Sequence, residues 1–170
     1  MNISKVWSTA LIASLLPVAA MATGGTSNSE MCNPAGTWSV NVTFPPESGF
    51  PPFHELLSLL PGGVVIETNS ILHANSQDTF FGINGSPGQG AWKRRANCRI
   101  EFKVLKQVFD QTHQFLGFIR ITVRAKISGN QFSNELADSN VDFIFGPDPD
   151  APPSVMFGGS TSQGKRIKAN

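Results

Sequence analysis

From Ile119 to Ile127 the chain alternates without a fault: Ile119, Ile121, Val123, Ala125 and Ile127 are apolar, and Arg120, Thr122, Arg124 and Lys126 between them are polar. A repeat of two puts successive side chains on opposite faces of an extended backbone, so the segment reads as a strand with one face for a core and one for water. The same rule runs through Cys98, Ile100, Phe102 and Val104, and through Trp38, Val40, Val42 and Phe44. One-sided strands of this kind belong to antiparallel sheets, which can leave a face in solvent.

Turn-forming residues divide the rest of the chain. Pro45–Pro52 carries four prolines, which remove ladder donors, and is a loop. Phe53–Leu60 and Val64–Leu72 flank Pro61-Gly62-Gly63, a hairpin signal, although the leucines of the first run would also suit a helical turn. His73–Gly90 is polar, glycine-bearing and long, as functional loops are. Ser128-Gly129-Asn130 is a turn, Gln131–Phe145 one or two strands with a break near Asp138–Asn140, Pro147–Pro153 a loop, and Val155–Lys168 a closing strand. Short strands without a long helix predict an all-β fold: one antiparallel barrel of about eight strands, or alternatively a β-sandwich.

Residues 1–22 have the form of a signal peptide, with Lys5, an apolar run from Val6 to Ala20 and a small-x-small site at Ala20-Met21-Ala22. That run is shorter than a bilayer-spanning helix; an uncleaved anchor is the alternative. Residues 23–33 read as a flexible lead-in and 34–170 as the barrel domain, secreted or held in a secretory or periplasmic compartment. The two cysteines, Cys32 and Cys98, would form a disulfide there, stabilising the fold by about 4 kcal/mol; unpaired thiols are the alternative.

Charge and motifs exclude several classes. Losing Lys5 leaves acids and bases in balance, and Lys93-Arg94-Arg95 is too short a basic cluster to hold nucleic acid. No nucleic-acid partner and, after cleavage, no membrane partner is expected. His54, His73 and His113 are too scattered for a metal site, and no nucleophile elbow, P-loop or dinucleotide fingerprint occurs, so no cofactor is expected. Asn41-Val42-Thr43 is a glycosylation sequon, with Asn41 the acceptor, and Asn84-Gly85-Ser86 is a second, weakened by Pro87. Of the carboxylates on expected strands, Glu101 shares a face with Arg99 and Lys103 and should meet water, as Glu135 and Asp142 could; Glu67 shares one with Val65 and Ile71 and is the candidate inward, catalytic group.

Gly36-Thr37-Trp38 opening the first strand, with Arg166 near the chain end, resembles the lipocalin and wider calycin pattern. That resemblance implies an eight-stranded barrel plugged at one end by Trp38, with Arg166 packed over it. Pro61-Gly62-Gly63 and Ser86-Pro87-Gly88-Gln89-Gly90-Ala91-Trp92, together with Arg166, are also similar to an uncharacterised class of exported bacterial barrel proteins. That second resemblance implies no known activity, whereas the lipocalin pattern implies a binder of a small apolar molecule; the candidate ligand-binding residues are Trp38, Phe53, Trp92 and Arg166. A cofactor-independent cyclase or isomerase resembling the allene oxide cyclase type, using Glu67, is the alternative. A structural or surface-interaction domain with a filled barrel is the third. A cavity of roughly 300 Å³ or more would favour the first two over the third.

Overall fold

The computed structural model describes residues 31–73 and 82–168. The signal peptide of residues 1–22, the lead-in up to residue 30, and residues 74–81 of the expected long loop lie outside the described residues.

Strands β1 (Gly36–Thr43), β2 (Phe53–Leu60) and β3 (Val64–Asn69) form a meander, followed by a helical turn at Ser70–His73. The chain continues through β4 (Asn84–Gly85), β5 (Gly88–Arg94), β6 (Arg99–Phe109), β7 (Phe115–Ser128), β8 (Gln131–Asn134), β9 (Ser139–Phe145), β10 (Val155–Gly158) and β11 (Thr161–Arg166). Hydrogen bonding runs β7–β8–β11–β1–β2–β3–β5–β6 and returns to β7, so eight antiparallel strands close into a barrel. Strands β4, β9 and β10 lie outside the ring. Closure removes the sheet edges that an open sandwich would expose.

The alternating segments face inward as their period demands. Trp38, Val40 and Val42 of β1, Ile100, Phe102 and Val104 of β6, and Val123, Ala125 and Ile127 of β7 are buried in one core. The run Phe53–Leu60 is extended, as the hairpin signal predicts. Sequence and structure part at three places. Strand β5 begins at Gly88, inside the expected loop, because its glycines let neighbouring strands approach where side chains would clash; a Cβ on Gly90 would collide with the carbonyl of Lys103. Cys98 sits in the turn before β6 with φ of 57°, not on the strand. The closing segment is two strands, since it leaves β9 after β10 and joins β1 and β8 as β11.

The long β7 is shared along one side. Its last residues, Lys126–Ser128, pair with β8, and Gly117–Val123 pair with β9. The ring is therefore complete at one end and split at the other, where β9 and β10 turn away from β11. A side-chain stitch holds the split: Ser139 Oγ donates to the carbonyl of Ser160 at 2.7 Å, the N–H of Ser160 donates back to it at 2.6 Å, and Asn134 Nδ2 donates to the same carbonyl at 2.7 Å.

The complete end is packed solid. Trp38, fully buried, packs against Phe132 at 6.0 Å between ring centroids with the rings tilted by 50°, and its indole N–H donates to the carbonyl of Pro34 at 2.9 Å. The Arg166 guanidinium lies 4.3 Å above the Trp38 ring and donates to the carbonyls of Ala35 and Asn33. Residues 31–35 thus cross this end, and the Cys32–Cys98 disulfide fastens them to the β5–β6 turn.

Candidate functional site: an apolar cavity with a polar wall

Trp38 and Phe132 fill the complete end of the barrel, and aliphatic side chains hold the inward positions further along several of the strands. Inward positions at the split end hold Val42 (β1), Val104 (β6), Ile119 and Ile121 (β7), and Ser160 and Ser162 at the start of β11, and they enclose a cavity of about 100 Å³. Phe44, Phe50, Phe53 and Phe157 edge it, with Phe44 and Phe50 rings 4.8 Å apart and Phe50 and Phe157 rings 5.5 Å apart. The proline-rich loop after β1 explains Phe50: it cannot join the ladder, and it carries that ring back across the mouth.

Into this apolar lining β2 and β3 project three polar side chains: Glu55, Glu67 and Asn69. Glu67 is 2% exposed and Lys106 of β6 is wholly buried, their Nζ and Oε2 atoms being 2.6 Å apart. A charge removed from water needs such a partner. The two strands are not neighbours, because β5 runs between them. Gly88 makes the contact possible: a Cβ there would stand 2.6 Å from Oε2 of Glu67. The first glycine of the Gly88-Gln89-Gly90 segment is thus the gap through which the ion pair crosses the sheet.

Glu67 Oε1 has no hydrogen-bond partner, although Oε2 is tightly held. Glu55, opposite Asn69 in the β2–β3 ladder, is half-buried with its remaining surface on the cavity it lines. Burial beneath the barrel wall, reinforced by the Glu67 charge and opposed by Lys106, pushes its carboxyl up to about 8. At neutral pH Glu55 is consequently a carboxylic acid in an apolar space. Such a group donates a hydrogen bond, or exchanges a proton with a bound molecule.

The other sequence-derived candidates fall elsewhere. Phe53 and Glu67 line the cavity. Trp38 and Arg166 form the packed end, and Trp92 of β5 lies toward that end too, its indole N–H donating to the carbonyl of Leu60 at 2.9 Å. These three do not line the cavity, because they stand at the wrong ends of their strands. Glu101 faces outward and gathers Arg95, Lys93 and Arg124; hydrogen bonds from Arg95 and Lys93 hold its carboxyl down at about 2. Glu135 precedes a 3-10 turn rather than lying on a strand. Asp142 is buried but paired with Arg120 at 3.1 Å, on the faces of β9 and β7 away from the cavity. Asn41 is exposed on the outer face of β1.

Glu55 and Lys106 are the residues that sequence reasoning missed. Both carried a signal. Lys106 interrupts the apolar register Ile100, Phe102, Val104, Val108, and Glu55 interrupts Phe53, Leu57, Leu59.

The fold and this cavity define a class: a closed eight-stranded antiparallel barrel, packed at one end and hollow at the other, with additional strands at the hollow end. Among solved structures, the chain is similar to the crystal structure of Rv2717c from M. tuberculosis, with 12% identity, 82% of this chain and 94% of that chain covered, and a TM-score of 0.36. A likeness at that level carries no argument about the cavity. No protein-family model matches the chain, and no curated protein matches it. Among the described residues no group of His, Cys, Asp and Glu is arranged to hold a metal ion, and no helix is long and apolar enough to cross a membrane.

Proposed function

We propose that the protein is an exported, lipocalin-like barrel that binds one small, largely apolar molecule in its hollow end. The observation that carries this reading is the about 100 Å³ cavity, largely apolar, with its ionisable groups, Glu55 and Glu67, on the β2–β3 side. That division of labour is what small-molecule sites use, apolar area for affinity and a few placed polar groups for orientation. The volume falls short of the roughly 300 Å³ expected to separate a binding or cyclase barrel from a filled structural one, so the reading is confined to a very small occupant. A cavity of about 150 Å³ takes benzene, so the occupant here has about four to six non-hydrogen atoms inside the barrel. Export is supported by the signal-like leader and by a disulfide, a bond that persists in oxidising compartments.

Calorimetric titration with 1-butanol tests the reading. Saturable binding of one molecule per chain is expected, lost in Ile121→Trp, whose indole fills the cavity while circular dichroism confirms the fold. Absence of saturable binding, or binding unchanged by Ile121→Trp, contradicts it.

A second reading, a cofactor-independent cyclase or isomerase, is favoured by Glu55 rather than by Glu67. Glu67 is neutralised by Lys106, whereas Glu55 holds a proton near neutral pH against the cavity and is suited to acid–base work. Confinement in the barrel would supply the remaining advantage by holding a flexible substrate near its reactive shape.

A further inference from the structure

The polar wall is unbalanced. It contains two carboxyl groups, Glu55 and Glu67, and one ammonium, Lys106, and Lys106 is committed to a single oxygen of Glu67. Around them the barrel presents no other ionisable group to the cavity among the described residues. Val42 of β1, Ile119 and Ile121 of β7, and Val141 and Phe143 of β9 are apolar, and the Arg120–Asp142 pair faces the other way. His54, next to Glu55, is exposed on the outside of β2. With Glu55 protonated the wall is neutral, but it holds one cation for two carboxyl groups, and Oε1 of Glu67 is enclosed without a hydrogen bond. An unsatisfied buried acceptor is costly to a fold and is uncommon in a finished core.

We propose that the hollow end takes a small protonated amine on an apolar body, its ammonium paired with the Glu55 carboxylate and donating to Oε1 of Glu67, its hydrocarbon lying between Phe53, Val104 and Ile121. This deepens the binding reading above and rests on it. An ammonium has three donors and one charge, so it can pair with Glu55 as a carboxylate and donate to Oε1 of Glu67 at once. A carboxylic acid or phosphate would instead add a negative charge beside Glu67. A neutral alcohol brings a single donor and no charge, so Glu55 stays protonated and no ion pair forms.

The proposal fixes the proton balance. Below pH 8 Glu55 carries a proton in the free protein. An alkylammonium entering as the cation turns Glu55 into a carboxylate, so one proton passes to solvent for each amine bound, and amine affinity rises with pH until Glu55 is ionised beforehand.

The test compares n-butylamine with 1-butanol by calorimetry on the folded, disulfide-intact protein, repeated at pH 6.5 in two buffers of different ionisation enthalpy to count protons. We expect butylamine to bind at least ten-fold more tightly than butanol at pH 8, release of close to one proton per amine at pH 6.5, and an affinity that climbs at least ten-fold from pH 6 to pH 8. In Glu55→Gln the preference for amine over butanol should disappear; removing a buried ionisable group should not unfold the barrel, and the proton count on the unaltered protein needs no variant. Butanol binding with butylamine no tighter, or butylamine binding without proton release, overturns the amine proposal and leaves the binding reading intact. Failure of both ligands overturns the two together.

Discussion

Glu55 is a carboxyl whose surroundings favour its neutral form, and its effect on stability has a definite sign. In the unfolded chain it ionises near the ordinary value of 4.5, and in the barrel only near 8, so between those values the folded state holds a proton that the unfolded state has lost. Its contribution is fully present below about pH 4.5 and is lost as pH rises to 8. Tm should therefore fall across that window in the native protein and fall distinctly less in Glu55→Gln, read by circular dichroism in matched buffers. Parallel curves would mean that Glu55 is as well solvated folded as unfolded. That a glutamate sits there was only partly legible in the sequence. The alternation of Phe53, Glu55, Leu57 and Leu59 is genuine, but His54, Leu56, Ser58 and Leu60 form a second face that is also half apolar, and Leu56 and Leu60 are exposed in the fold. With leucine on both faces, periodicity does not say which set points inward.

Three strands cooperate to bury the ion pair, and its energetics belong to them jointly. Lys106 of β6 reaches Glu67 of β3 across Gly88 of β5. Removing one partner strands the other charge in the interior, so Lys106→Met should cost about 3–5 kcal/mol in denaturant unfolding. The double replacement Glu67→Leu with Lys106→Met removes both charges together and should recover most of that loss. If the double variant were as unstable as the sum of the single ones, the pair would not be acting as a unit. Strands β1, β6 and β7 were readable from the chain because one face is apolar and the other polar or charged. Strand β5 was not, because its inward positions are Gly88 and Gly90, chosen for what they leave out. The division of Val155–Lys168 into β10 and β11 was hidden for another reason: it depends on β7 exchanging partners along its length, a non-local event that leaves no local period.

At the scale of the whole molecule, the barrel is asymmetric along its axis. Trp38, Phe102 and Phe132 fill the end that residues 31–35 and the disulfide close, and the opposite end, where β9 and β10 leave the ring, is edged by phenylalanines around open space. An eight-stranded barrel is just wide enough for side chains to fill it or for one small ligand to enter, so a few side-chain volumes decide between the two outcomes. The sequence reached the barrel and one of the cavity's polar residues, Glu67. It did not reach the axial asymmetry, because Trp38, Trp92 and Arg166 look like pocket residues until the strand register puts them at the packed end. Every functional proposal above requires that the split end be hollow in the folded protein. Diffraction from crystals pressurised with xenon tests this most directly, since xenon enters apolar cavities of this kind whatever their natural occupant. The account predicts a xenon site between Phe53, Val104 and Ile121 that is absent from Ile121→Trp. A barrel with those side chains in mutual contact and no xenon among them would contradict it.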